Sequence, residues 1–132
     1  MNDQCFYRVS VKGIVVDDDG RILLAKEDNG LWELLGGGLD HGEDPIECLK
    51  REIHEETGLT VTRVSQSPKY FVTSDRIDSN TKTANVVYEI ELESLDFTPS
   101  NECQELRFFS VEEMKQVDLF PNVRELLKQI DE

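Results

Sequence analysis

Four glycines fall within residues 36–42 of this 132-residue chain, in the run Gly36-Gly37-Gly38-Leu39-Asp40-His41-Gly42. A helix interior does not carry that density, because each glycine costs about 1 kcal/mol there relative to alanine. The run is therefore loop or extended backbone, free to take positive φ and to bring main chain close to a ligand. A helix start follows at once: Asp44 at the cap, Pro45 at the first helical position and Glu47 at the third. The helix is expected to run to Thr57, with Gly58 as its C-terminal stop. A glycine loop feeding a capped helix sets backbone N–H and C=O groups beside one helix face.

That face is acidic. At about 100° per residue, Ile46, Leu49, Ile53 and Thr57 share a narrow arc that reads as the core side. Glu52, Glu55 and Glu56 fall together on an adjacent arc, with Cys48 one turn earlier and Arg51 flanking them. The like-charge i,i+4 pair costs about 0.2–0.5 kcal/mol. The macrodipole adds a second penalty, since it disfavours anions near a helix C-terminus. A divalent cation would reverse both, and magnesium is usually held by one or two carboxylates plus phosphate and water. Alone, such a run also fits an acidic helix face solvated by water. The adjoining glycine loop and Arg51, placed to orient the carboxylates, favour the metal.

Around this unit the chain reads as α+β. Arg8 to Val16 is a strand, and Asp17-Asp18-Asp19-Gly20 before Arg21 to Lys26 predicts a hairpin. The Asp cluster lacks the later oxygen ligands and closing Glu of a calcium loop. Leu31 to Leu35 is a short apolar segment, and Val61 to Ser65, Tyr70 to Thr73, Thr83 to Leu92 and Leu106 to Phe109 are further strands. Ser74 to Lys82 reads as a polar loop. Ser110 to Glu113 forms a capping box that opens a short helix, and a last helix covers about Asn122 to Ile130. A curved mixed sheet with helices on both sides buries all these faces in a single domain, residues 1–132. Tyr7, Phe71 and Tyr88 are of a type that stacks on a base, but core packing is the role expected of each.

Fourteen basic against 28 acidic residues give a net charge of −14. This speaks against binding a nucleic acid duplex, which needs clustered Lys and Arg, and any phosphorylated ligand would need cations to screen it. No apolar run approaches a membrane span, and the N-terminus has no signal-peptide pattern. Cys5, Cys48 and Cys103 are odd in number and scattered, as in a reducing cytoplasm. With His41 and His54 they make no zinc pattern.

Gly37, five residues, Glu43, seven residues, Arg51-Glu52-Ile53, one residue, Glu55-Glu56, one residue, Gly58-Leu59: this spacing, over residues 37–59, resembles the Nudix box at every fixed position. The resemblance implies an α/β/α sandwich and hydrolysis of a diphosphate linkage in a nucleoside diphosphate joined to another group. It implies Mg2+ or Mn2+ as cofactor, held by the Gly36 carbonyl, Glu52, Glu55 and Glu56. Arg51 would orient the carboxylates and Glu43 would support the loop. Glu52 would serve as ligand or general base, with Glu102 and Glu105 on a later loop as alternative bases. Gly37 and Gly38 would approach the substrate. Arg8 and Lys26 are cations that a phosphate would meet; Lys12, Arg76 and Lys82 are others, though each also reads as an ordinary surface charge. Homodimers are common in such a family.

Leu35 replaces the usual Pro before the glycines, and Cys48 replaces the usual Ala. The markers that accompany ADP-ribose, dinucleoside polyphosphates, NADH or coenzyme A in some subfamilies are absent. The partner implied is thus a small nucleotide-like diphosphate of undefined class. A catalytically silent nucleotide-binding module is the alternative reading.

Overall fold

The computed structural model describes residues 5–77 and 79–131. Met1 to Gln4, on which the leader expectation rests, lie outside the described residues, as do Asp78 within the predicted 74–82 loop and Glu132. The strands are β1 (Tyr7–Ile14), β2 (Ile22–Lys26), β3 (Trp32–Glu33), β4 (Leu35–Gly38), β5 (Val61–Val64), β6 (Tyr70–Asp75), β7 (Lys82–Leu92) and β8 (Glu105–Phe109). The helices are α1 (Pro45–Thr57), α2 (Val111–Met114) and α3 (Pro121–Ile130).

The fold is α+β, built on a mixed sheet. β1 pairs antiparallel with β4 and parallel with β7, while β5 and β6 share the other edge of β7. A second, three-stranded antiparallel sheet runs β3-β2-β8. Two cores lie on opposite sides of these strands, and β2 shows why. Ile22, Leu23, Leu24 and Ala25 are all buried. With a period of two, Ile22 and Leu24 join Trp32, Phe109, Met114, Val123 and Leu126 on one side. Leu23 and Ala25 join Leu35, Leu49, Ile53 and Ile90 on the other. α3 closes the first core and α1 the second, which gives the α/β/α sandwich. Among the described residues no helix is long and apolar enough to cross a membrane.

The predicted hairpin is only partly formed. Its turn closes, with Asp17 accepting from the Asp19 and Arg21 backbone N–H groups. The ladder then stops at a single Val16–Ile22 bridge and a Leu23 N–H to Val15 bond. Both edges of β1 are already taken by β4 and β7, so β2 turns away into the second sheet. The predicted 74–82 loop is shorter than expected. β6 runs on to Asp75, where it meets Lys82 in the β6–β7 ladder. Tyr7 and Phe71, expected in the core, are exposed: alternation puts them on the face that carries Val11, Tyr88 and Ile90, but Tyr7 opens β1 and Phe71 lies on the flanking strand β6, at the margin of the area packed against α1. Tyr88 packs against the α1 side.

Candidate functional site

The site begins with how α1 is fixed. The Asp44 carboxylate accepts from the Ile46 and Glu47 N–H groups, both at 3.1 Å, which satisfies two orphan donors of the first turn. Gly58 ends the helix with φ 75°, its N–H returning to the His54 carbonyl. Leu49 and Ile53, fully buried, seat the helix on β4 and β1. The acidic arc is thereby turned toward the glycine loop.

Arg51 braces that arc. Its Nε and Nη2 donate to the two oxygens of Glu43 at 2.8 and 3.1 Å, a bidentate pair. Its Nη1 lies 3.2 Å from Glu52 Oε1 and donates to Glu55 at 3.2 Å. Hydrogen bonds from Arg51 hold Glu43 down at about 2. One guanidinium thus ties the loop before the helix to two carboxylates on it.

Glu52 packs against Gly37, where an added Cβ would sit 2.5 Å from the carboxylate. Burial raises the Glu52 pKa; Arg51 opposes that, and Glu55 and Glu102 reinforce it. Glu56 lies deeper, 6% exposed, with Oε1 accepting the Gly36 N–H at 3.0 Å. Burial pushes it up to about 9; Lys12 and the Gly36 N–H pull against this, and Glu102 adds to it from within hydrogen-bonding reach. Glu102 is thus the loop carboxylate that joins the cluster. Glu105 opens β8 opposite Lys26 in the ladder.

The remaining sequence-predicted residues separate. Gly38 lies under the Arg8 guanidinium, which donates to the Leu39 carbonyl and pairs with Asp40. Lys26 stands over the Trp32 ring, 6.0 Å from its centroid. Cys48 is buried, its thiol donating to the Gly38 carbonyl and pushed up to about 11, chiefly by burial. This is an inert thiol.

Lys12, which reads as a surface charge in the sequence, is buried at 7% exposure. Its Nζ donates to the Gly36 carbonyl at 3.3 Å and pairs with Glu33 at 3.6 Å. Burial alone would lower its pKa, but Glu33, Glu56 and Glu27 outweigh that and keep the ammonium charged. Glu33 accepts from the Leu34 N–H and from Asn122 Nδ2, which also donates to Asn85. Asn122 Oδ1 is the one buried side-chain polar atom without a partner among the described residues. A cleft of about 310 Å³ opens over this network, lined by Ser10, Lys12, Glu27, Glu33, Asn85 and Asn122 among others. A signal for these residues is present in the sequence: Lys12 interrupts an apolar strand, and Glu33 follows the only Trp. A charge in such a place is either solvent-facing or buried with a partner.

The donors that the family resemblance implies are of the kind a hard divalent ion takes. They are oxygens only: the Gly36 carbonyl and the carboxylates of Glu52, Glu55 and Glu56. Among the described residues no three His, Cys, Asp or Glu side chains are grouped so that they could hold a metal ion by themselves. A partial shell completed by water and substrate oxygens is what magnesium accepts.

The burial of Glu56 has a consequence for stability. Folded, it holds its proton up to about pH 9, whereas its ordinary value is 4.5. Stability of the metal-free protein therefore falls as pH rises from about 4.5 and levels off above about 9. Glu27, pushed up to about 7 chiefly by burial, adds the same sign only below that value. Urea denaturation in EDTA should show a decline between pH 7 and 9 in wild type that Glu56→Gln lacks. Parallel declines would refute the assignment.

A NUDIX domain model matches residues 6–130. A MutT-like protein of Streptomyces ambofaciens is 50% identical over 56 residues, 42% of this chain and 36% of that protein. An RNA pyrophosphohydrolase of Ruthia magnifica is 36% identical over 74 residues, 53% of this chain and 41% of that one. The chain spans about two-fifths of the length of these curated relatives. Among solved structures, a MutT NUDIX hydrolase from Burkholderia pseudomallei superposes with a TM-score of 0.77 at 25% identity, covering 95% of this chain and 98% of that one. The E. coli ORF135 protein gives 0.73 at 28%, covering 94% and 88%. The matched residues take in the glycine loop, the braced helix and both cores, and the chain belongs to the Nudix family.

Proposed function

We propose that this chain is a divalent-metal-dependent pyrophosphohydrolase. It would cleave a diphosphate linkage in a nucleoside diphosphate joined to another group, with water attacking phosphorus. The observation that carries this is the carboxylate arc beside the glycine loop: Arg51 braces Glu52 and Glu55, Glu56 accepts the Gly36 N–H, and Lys12, which lines the cleft, donates to the Gly36 carbonyl. The name of the Ruthia magnifica relative, an RNA pyrophosphohydrolase, supports cleavage of a phosphoanhydride.

Gly36, Glu52, Glu55 and Glu56 would hold Mg2+ or Mn2+. The bound ion supplies charge neutralisation at the diphosphate and acidifies a water molecule. Arg51 keeps Glu52 and Glu55 in fixed relation to Glu43, so little reorganisation accompanies charge development. Glu52, with its raised pKa, is suited to take the proton of the attacking water, and Glu102 is the second candidate. The cleft would receive the nucleoside.

The test is a panel of nucleoside triphosphates, sugar nucleotides and dinucleotides incubated with Mg2+ or Mn2+, the products separated chromatographically. Cleavage of one class at the diphosphate, lost in Glu56→Gln, is expected. Binding without turnover across the panel would instead mark a silent nucleotide-binding module.

A further inference from the structure

Lys12 is out of place beside a cation site. It rises from the middle of β1, buried, and its ammonium reaches across to the carbonyl of Gly36 on β4 at 3.3 Å. Glu33 anchors it from the other side at 3.6 Å. Gly36 is held at both its polar groups: Glu56 takes the N–H and Lys12 binds the carbonyl.

We propose that Lys12 is a positioning residue at the metal site, a tethered cation that holds the Gly36 carbonyl and competes with a divalent ion for the same oxygen. This rests on the metal site proposed above. A carbonyl oxygen has two lone pairs, so geometry alone does not forbid sharing. Charge does oppose it. An ion on that oxygen at about 2.1 Å would stand within about 5 Å of the ammonium, where like charges repel strongly in a partly desolvated site. Entry of the ion therefore requires Lys12 to draw back toward Glu33 and Glu27, both of which line the cleft with it. Lys12 thereby links the metal side of the site to the cleft side.

The experiment is Mn2+ titration followed by the electron paramagnetic resonance signal of free Mn2+, with no substrate present. Wild type is compared with Lys12→Met and with Lys12→Met/Glu33→Gln. The double variant removes one charge of each sign and leaves the net charge unchanged. It also keeps an oxygen at position 33 for Asn122 and the Leu34 N–H, so it serves if the single variant does not fold. The expected Kd falls at least tenfold in Lys12→Met and at least threefold in the double variant. Tightening in the single variant alone would reduce the effect to net charge and overturn the proposal. Equal Kd in all three proteins would overturn it while leaving the metal site standing. Absence of Mn2+ binding in all three would remove the metal site itself, and this proposal with it.

Discussion

Exchanging Glu52 for Gln is expected to lower kcat by about 10³-fold while the protein still folds, a loss typical of removing a group that stabilises developing charge. Glu52 is only partly buried, and its side chain rests against Gly37 and Arg51. The amide occupies the same volume, so packing survives. What is lost is the negative oxygen that would bind the ion or accept the proton. The same exchange at Glu55 removes one of the Arg51 contacts, while the bidentate Arg51–Glu43 pair persists. The Glu55→Gln variant should therefore lose affinity for Mn2+ together with turnover.

Glu102→Gln separates the two candidate bases. If Glu52 takes the proton, Glu102→Gln keeps the acidic limb of the pH–rate profile near its wild-type position. If Glu102 does, that limb disappears. Steady-state kinetics from pH 5 to 9 at saturating Mg2+ makes the measurement. Near-wild-type turnover in both Glu52→Gln and Glu55→Gln would end the metal-site assignment.

The second large effect is expected from Gly36→Ala, which should cost about 3 kcal/mol or more of stability and abolish turnover. Gly36 has φ +123°, a region that L side chains rarely adopt. An added Cβ would fall on the Val11 carbonyl oxygen and the Lys12 Cα, backbone atoms of β1 that are held in a two-sided ladder. Neither can yield without breaking the sheet. Gly20 is the control, since it too has positive φ, at 78°, but nothing lies within 4 Å of its missing Cβ. Gly20→Ala should cost only the conformational strain, about 1 kcal/mol. Urea denaturation of the two variants, compared at unchanged m-value, checks the difference. Equal costs would mean that strain alone, and not the approach of β1, makes position 36 a glycine.

The acidic arc is legible in the sequence because it is local. Helical periodicity fixes which side chains share a face, and the glycine loop is adjacent in sequence to the helix it serves. The cap at Asp44 and the stop at Gly58 are likewise short-range hydrogen-bond solutions, and both fall where the sequence places them. The apolar run of β2 signals burial. That it is buried on two sides, each face in a different core, follows only from the layers around it.

Other features depend on partners far away in the chain. The turn at Asp17 is present, but whether β2 stays beside β1 is decided by β4 and β7 competing for the same edges. Tyr7 and Phe71 have the residue type of a core and are exposed at the margin of a sheet face whose centre α1 covers. Lys12 carries the clearest contrast. A lysine in a strand reads as a solvent-facing charge. Burial becomes tolerable only because Glu33, 21 positions on, and the Gly36 carbonyl meet its ammonium. The Asn122–Glu33 bond spans 89 positions. Sequence by itself determined the loop, the helix and the chemistry of its acidic face, since local backbone geometry sets them. The cleft, the buried lysine and the unpartnered Asn122 oxygen were decided by tertiary structure, because desolvation and charge pairing depend on which distant groups the fold brings together.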